Sequence, residues 1–209
     1  FEDRNANGVR DTGEPDAPAN EVWNLAVIDP DWVPVYQVDQ GGGDFVLPAE
    51  PGLTDGQAVL VVKSKPADWI ATTDTVVSLS LPVSAPVELG FYKFGSISGV
   101  VVQTGHEQGL QEPAKNATVF LDLDEDGELD ASEPTATTKA DGSYEIESVR
   151  PGTYQVFVVP PAELSSVYHC PSITPRPAKV DVASGEGVGG GRGKLHGGSG
   201  SGEGGGGEG

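Results

Sequence analysis

Short valine-rich runs bounded by turn residues constrain the fold of this chain most strongly. The runs "QAVLVVKS", "ISGVVVQ" and "YQVFVVP" are each only a few residues long, and none continues with the 3.6-residue apolar spacing of an amphipathic helix. Apolar residues make up 36% of the sequence, and valine dominates them in these runs. Because β-branched side chains favour extended backbone, the chain is predicted to be all-β.

An imperfect internal duplication predicts two modules. The stretch "KADGSYEIESVRPGTYQVFVV" (Lys139–Val159) predicts a turn, a strand, a second turn and a second strand. The stretch "VDQGGGDFVLPAEPGLTDGQAVLVV" (Val38–Val62) has the same order of parts with a few extra turn residues. The boundary is predicted within "ELGFYKFGSISGVVV", between the last strand of the first module, "ELGFYKF", and the first strand of the second, "SISGVVV".

The predicted architecture is therefore two tandem Ig-like or prealbumin-like β-sandwich modules, over residues 1–95 and 96–183, because strands and turns alternate at short intervals in both. A glycine-, serine- and glutamate-rich segment follows at residues 184–209 and holds 15 of the chain's 30 glycines. Since glycine loses the most backbone entropy on folding and this segment has almost no apolar anchor, we expect a flexible tail or linker there.

Two acidic loops share one twelve-residue spacing. The sequences "FEDRNANGVRDTGEP" and "FLDLDEDGELDASEP" place oxygen-bearing residues at positions 1, 3, 5, 9 and 12 around a glycine at position 6. We call residues 3–14 loop one and residues 122–133 loop two. The residues at positions 1, 3, 5, 7, 9 and 12 are Asp3, Asn5, Asn7, Val9, Asp11 and Glu14 in loop one, and Asp122, Asp124, Asp126, Glu128, Asp130 and Glu133 in loop two.

This spacing predicts one Ca²⁺ site in each loop. Short side-chain oxygens at positions 1, 3 and 5 converge on an ion, the carbonyl at position 7 adds an oxygen, and the longer Glu at position 12 reaches back with two more. Zinc would require Cys or His ligands, which both loops lack. The flanks, such as "ATVFL" before loop two, are β-branched or turn-rich, so the loops are expected to join strands and not helices.

The charge of the chain excludes one class of partner and ranks the two loops. With 12 basic and 32 acidic residues the net charge is −20, which would repel a nucleic-acid backbone. Loop two has five carboxylates at the ligand positions, whereas loop one has three carboxylates and two amides, so we predict that loop two binds Ca²⁺ more tightly.

No run of about 18 apolar residues is present, so no membrane span is predicted.

The loops and the stretch "ADGSYEIESVRPGTYQVFV" resemble the SdrD B-like repeats of bacterial surface proteins, relatives of the collagen-adhesin B-type sandwiches. The resemblance covers about residues 1–182. It implies a secreted, cell-surface structural module, a stalk, spacer or fibre stiffened by calcium and without catalysis, whose partners are neighbouring modules or copies of itself.

The sequence departs from this family at two places. The strand that should precede Phe1 is absent, so the resemblance implies a first module that is either truncated or completed by another chain. In the second module, Thr104, His106 and Gln108 stand where acidic ligands are expected after the first strand, so this stretch resembles a loop that has lost its ligands.

Two other function classes remain open from the sequence. A glycan- or matrix-binding adhesin module would use tryptophans as a stacking platform, for which the candidates are Trp23, Trp32 and Trp69. An accessory domain of a larger secreted enzyme is the other alternative. The chain itself is predicted not to be an enzyme, because its sequence offers no plausible nucleophile, acid pair or cofactor loop. His169 and the single cysteine, Cys170, are sequence neighbours that would point to opposite faces of a strand and so could not form a catalytic pair there.

Overall fold

A computed structural model of the 209-residue chain describes residues 1–48, 56–104, 111–161 and 179–195. Within these ranges the chain is all-β, as predicted, with strands joined by turns and irregular segments. No helix able to span a membrane occurs in this part of the chain. The fourteen strands are β1 (Val22–Ile28), β2 (Pro34–Gly41), β3 (Gly56–Ser64), β4 (Trp69–Ala71), β5 (Val76–Leu81), β6 (Phe91–Lys93), β7 (Gly95–Thr104), β8 (Gln111–Pro113), β9 (Thr118–Asp122), β10 (Thr135–Thr137), β11 (Ser143–Val149), β12 (Gly152–Val159), β13 (Lys179–Val182) and β14 (Gly187–Leu195).

The chain forms two compact units. The first consists of Phe1–Gly95 together with two short returns, Arg150–Gly152 and Val182–Glu186. The second holds the described residues of Ser96–Val149, Thr153–Asp181 and Gly187–Gly209. β6 lies in the first unit, and all of β7 except Gly95 lies in the second.

The first unit has a long sheet and a short one. The long sheet is antiparallel, in the order β2-β1-β3-β5, and the short sheet pairs β4 with β6. Alternate residues of β1 and β3, such as Leu25 and Leu60, are buried on one face of the long sheet, which is the period of a strand with one face in a core. Trp69 of the short sheet packs edge-on against Trp23, with ring centroids 5.5 Å apart, so the core lies between the two sheets.

The second unit has two larger sheets. One is ordered β10-β9-β12-β13 and the other β11-β7-β14, with β8 paired to β7. Buried residues alternate along strands of both sheets, for example Val156 and Val158 in β12 and Tyr144 and Ile146 in β11. This alternation is typical of two sheets that pack face to face in a β-sandwich.

Two segments differ from their sequence-based expectations. Within the segment 184–209, which we expected to be flexible throughout, Gly187–Leu195 forms β14 and pairs in parallel with β7. A strand needs main-chain partners more than it needs side chains, and β7 supplies those partners to a segment rich in glycine. Residues 42–48, where the duplication predicts a strand, form none; Phe45 and Leu47 pack against the core from an irregular segment instead.

Several sequence-based predictions fall on residues outside the described ranges. They concern the stretch that resembles a loop without ligands, where His106 and Gln108 lie, and the adjacent pair His169 and Cys170. Residues 196–209 of the predicted tail are also outside these ranges.

Candidate metal centre

Both acidic loops begin at a buried aspartate that ends a stretch of extended backbone. Loop two follows β9 and leads into β10, and because these strands are antiparallel neighbours it closes a hairpin. Loop one follows Phe1 and Glu2, which run in parallel beside β6, and it leads towards β1. Both loops therefore connect extended segments, and no helix flanks either of them.

The first and sixth positions of both loops are joined by the same hydrogen bond. The amide of Gly8 donates to Oδ2 of Asp3 at 2.7 Å, and the amide of Gly127 donates to Oδ2 of Asp122 at 3.0 Å. The two glycines have φ angles of +80° and +77°, a left-handed conformation that glycine adopts without steric cost. This bond turns the chain around the carboxylate and directs positions 3 and 5 towards the same centre.

The glutamate at position 12 closes each loop in the same way. One carboxylate oxygen accepts the amide at position 2 and the other accepts the amide at position 9. The distances to Glu14 are 2.8 Å from Arg4 and 3.0 Å from Asp11, and those to Glu133 are 2.8 Å from Leu123 and 3.0 Å from Asp130. At position 7, the amides of Val9 and Glu128 donate to the side chains at position 5, Asn7 and Asp126, both at 2.7 Å.

Loop two gathers three carboxylates, one of which has a buried oxygen without a hydrogen-bond partner in the described residues. Carboxylate oxygens of Asp122, Asp124 and Asp126 lie within 4.8 Å of one another. Asp122 is only 4% exposed, and its Oδ1 is buried without a hydrogen-bond partner in the described residues. A buried anionic oxygen without a donor is costly, and a hard cation is the partner that would offset this cost.

Loop one is closed by its own amide groups. The side-chain nitrogens of Asn5 and Asn7 both donate to Oδ2 of Asp11 at 2.8 Å. Asp3 is fully buried, and its Oδ1 accepts the amide of Asn7 at 3.1 Å while its Oδ2 accepts Gly8. The side-chain nitrogens of Asn5 and Asn7 thus occupy a carboxylate oxygen of Asp11 that an ion would need. These two side-chain amides must rotate before a cation could bind.

Of the twelve predicted ligand residues, the structure brings three into one acidic cluster. The side chains of Asp130 and Glu133, both predicted ligands, are outside this cluster. The chemistry of the clustered residues fits a hard oxygen-seeking cation such as Ca²⁺, because all three offer anionic oxygens. The buried Oδ1 of Asp122 could not have been identified from the sequence, since it depends on which donors the folded loop brings near.

The three tryptophans do not form one platform. Trp23 and Trp69 are 5% and 1% exposed and belong to the core, while Trp32 is 76% exposed at the turn between β1 and β2. The two buried residues, whose rings contact each other, therefore offer no stacking surface, and the open alternative of a shared platform is excluded for them.

A lysine in the first unit is also held by acidic neighbours. Lys93 Nζ lies 2.6 Å from Asp68 and 3.0 Å from Glu21, and 4.8 Å from the centre of the Trp69 ring. The hydrogen bond that Lys93 donates to the carboxylate of Asp68 is the largest of the effects that raise the pKa of Lys93. Lys93 therefore stays charged, which suits a structural ion pair and not a base or nucleophile.

No protein-family model matches the chain, and no curated protein matches it in sequence. Among solved structures it is similar to the minor pilin of Streptococcus agalactiae (12% identity, 87% of this chain and 84% of that one, TM-score 0.37). It is also similar to a variant of the shaft pilin SpaA of Lactobacillus rhamnosus GG (11% identity, 85% and 94%, TM-score 0.33). A third is the major pilin subunit BcpA of Bacillus cereus (13% identity, 86% and 58%, TM-score 0.32). At these values the likeness carries no conclusion about what the chain does.

Proposed function

We propose that this chain is a non-catalytic structural protein of the cell exterior whose second acidic loop binds Ca²⁺. The observation that carries the proposal is the buried, partnerless Oδ1 of Asp122 beside two further carboxylates. Bound calcium ties the end of β9 to the start of β10 and so stiffens the hairpin that they form.

The energetic argument rests on charge. Two like charges 4 Å apart repel by about 4 kcal/mol at an effective dielectric of 20, so the cluster opposes its own folding without a cation. A divalent ion reverses the sign of the local field and turns three repulsive groups into ligands. At a concentration 100 times its dissociation constant, an ion that binds only the folded state adds about 2.7 kcal/mol to the free energy of unfolding.

The proposed location is the cell exterior, where a weak calcium site is sufficient. Extracellular calcium modules work with dissociation constants of about 10⁻⁴ to 10⁻³ M. A site of this affinity would be permanently occupied outside the cell and nearly empty inside it. The net charge of the chain, −20, makes copies of it repel one another, which keeps a stalk, spacer or fibre module in solution. Its partners would be neighbouring modules or further copies of the same chain.

Loop one is proposed as a second and weaker calcium site. It shares with loop two the hydrogen bond from the amide at position 6 to the carboxylate at position 1, but it has three carboxylates and two amides at the ligand positions. We also propose that both loops are calcium loops of the kind found in SdrD B-like repeats.

The deciding experiment is a thermal melt of the whole chain with a millimolar excess of Ca²⁺ and with chelator. We expect a higher melting temperature with Ca²⁺, and we expect Asp124→Asn, at an exposed position, to reduce the increase. Mg²⁺ at equal concentration controls for general ionic effects. Equal melting temperatures with Ca²⁺ and with chelator would refute a metal-stiffened structural role.

One observation favours glycan binding as a second candidate function. Trp32 is highly exposed and has a φ angle of +63°, a strained conformation for a bulky residue. The carboxylate of Asp29 holds this turn by accepting the amides of Asp31 and Val33 at 3.0 and 2.8 Å. Titration with glycans should quench the fluorescence of Trp32, and Trp32→Phe would identify the signal; no change with any glycan would remove this candidate.

A further inference from the structure

Loop one contains an asparagine followed by a glycine, Asn7 and Gly8, which is a chemically reactive pair. The amide nitrogen of such a glycine attacks the side-chain carbonyl carbon of the asparagine, and no Cβ on the glycine hinders its approach. Asn7 is the one asparagine of the sequence that precedes a glycine. Its side chain is exposed, so water reaches it.

The backbone of the loop requires the glycine of this pair. Gly8 has a φ angle of +80°, and a Cβ added there would lie 3.1 Å from the carbonyl oxygen of Thr72. Because position 6 is restricted to glycine, the residue at position 5 is always followed by an unhindered amide. Loop two has Asp126 at position 5, which has no side-chain amide to lose.

Hydrogen bonds hold each group that this cyclisation involves. The attacking nitrogen, the amide of Gly8, donates to Oδ2 of the fully buried Asp3 at 2.7 Å. The carbonyl oxygen under attack, Oδ1 of Asn7, accepts the amide of Val9 at 2.7 Å. The nitrogen that leaves, Nδ2 of Asn7, donates to Oδ2 of Asp11 at 2.8 Å. The loop thus places a base, an oxyanion donor and a leaving group around one carbonyl.

We propose that loop one deamidates itself at Asn7. The nitrogen of Gly8 gives its proton to the carboxylate of Asp3 and forms a bond to Cγ of Asn7. That proton passes on to Nδ2, whose bond to Cγ breaks, and ammonia leaves. Water then opens the five-membered imide at either carbonyl, which gives an aspartate at position 5 or an isoaspartyl linkage. In sum, one water is consumed and one ammonia is released.

The consequence for metal binding rests on the proposed calcium role of loop one. Loss of the amide removes a donor to Asp11 and puts a carboxylate at position 5, as in loop two. The aspartyl product adds a fourth carboxylate to the three at the ligand positions, so it should bind Ca²⁺ more tightly. The isoaspartyl product inserts a methylene into the main chain and should bind Ca²⁺ more weakly.

Asn5 is an internal control within the same loop. Its Nδ2 also donates to Oδ2 of Asp11 at 2.8 Å, and its side chain is also exposed. The next residue is Ala6, whose Cβ hinders the attack of its amide nitrogen. The two asparagines thus share an acceptor and an environment, but only Asn7 has the unhindered nucleophile.

Peptide mass spectrometry of the whole chain, kept at neutral pH with chelator and sampled from purification onwards, follows both asparagines. The reference is the same chain unfolded in guanidinium. We expect conversion at Asn7 to be at least about tenfold faster than at Asn5, and about threefold or more faster in the folded chain than in the unfolded one. Absence of conversion at Asn7, or a rate no higher in the folded chain, would overturn the proposal.

A pair of variants tests the base. Asp3→Asn keeps an oxygen for the amide of Gly8 but cannot take its proton, so conversion at Asn7 should slow by about tenfold or more. Asp16→Asn is the matched control, because Asp16 is an exposed acid outside loop one that pairs with Arg10. Equal rates in the two variants would contradict the role of Asp3.

Asp126→Asn transfers the reactive pair to loop two and leaves Asp3 unchanged. There the amide of Gly127 donates to Oδ2 of Asp122 at 3.0 Å, and the amide of Glu128 donates to Oδ1 at position 5 at 2.7 Å. We expect conversion at residue 126 of this variant, again faster in the folded chain. An intact side chain there, in protein that converts at Asn7, would refute the assigned mechanism.

Calorimetry with Ca²⁺ separates this inference from the calcium proposal. Asn7→Asp reproduces the aspartyl product and should bind Ca²⁺ at loop one about tenfold more tightly than the wild type. Conversion without a change in Ca²⁺ binding would support self-deamidation and refute its effect on the metal site. Ca²⁺ binding without conversion would refute self-deamidation and leave the calcium proposal untouched.

Discussion

Asp122 accepts the amide of Gly127 at 3.0 Å through Oδ2, while its Oδ1 is buried without a hydrogen-bond partner in the described chain. The corresponding carboxylate of loop one, Asp3, has a donor on each oxygen. The two loops thus share one main-chain design, but only loop two leaves a buried anionic oxygen for a cation.

The first prediction concerns position 3 of the two loops. Replacing Asp124 with Asn should weaken Ca²⁺ binding at loop two by about tenfold or more, because affinity in such loops depends on ligand charge. The reverse change in loop one, Asn5→Asp, should strengthen binding there, since it removes a donor to Asp11 and adds a carboxylate. Calorimetric titration of the wild type and both variants measures this. A tighter site at loop one in the wild type would contradict the ranking.

The second prediction concerns the glutamates that close the loops. With chelator present, Glu133→Ala should lower the free energy of unfolding by about 1–3 kcal/mol, because it leaves the amides of Leu123 and Asp130 without their acceptor. The matched change Glu14→Ala should cost less, since its two hydrogen bonds are exposed to water. Urea denaturation of both variants gives the comparison, and equal costs would show that the burial of these bonds is unimportant.

The third prediction concerns the glycines at position 6. Alanine at either site should lower the free energy of unfolding by about 1–2 kcal/mol, because both glycines have a left-handed backbone conformation. Gly8→Ala should cost more than Gly127→Ala, since its added Cβ would lie 3.1 Å from the carbonyl oxygen of Thr72, whereas at Gly127 the nearest atom is 4.0 Å away. Thermal denaturation with chelator tests the order; a larger loss at Gly127 would contradict it.

The fourth prediction concerns alkaline pH. Burial raises the pKa of Tyr144 from 10.0 to about 12. Because the folded state keeps the phenol proton more strongly than the unfolded state does, this contribution to stability is complete below about pH 10 and is lost as the pH rises towards 12. The free energy of unfolding should fall by about 2–3 kcal/mol over this range.

Chemical denaturation between pH 9 and 12 measures this loss, and tyrosinate absorbance follows the ionisation directly. Tyr144→Phe, which has no phenol to ionise, is the control and should show a shallower decline. The same slope in both proteins would assign the alkaline loss to other groups.

Local patterns predicted much of the candidate site. The spacing around Gly8 and Gly127 predicted two similar loops between extended segments, because the left-handed glycine and the short oxygens act over five or six residues. The same reasoning could not tell which carboxylate oxygens would have hydrogen-bond donors. It gave Asp3 and Asp122 the same role, and only the folded loops distinguish a carboxylate with two donors from one with a free oxygen.

Longer-range features were harder to predict. The all-β class followed from the short valine-rich runs. The strand at Gly187–Leu195 was missed, because its partner, β7, is about ninety residues away in sequence and a glycine-rich segment has no apolar period of its own.

The sequence by itself determined the strand class and the chemistry of the two loops, since both depend on neighbours within a few residues. The tertiary structure alone decided which tryptophans are buried and that a parallel strand forms at the glycine-rich end. These features depend on main-chain groups and side chains that meet only after distant segments have packed together.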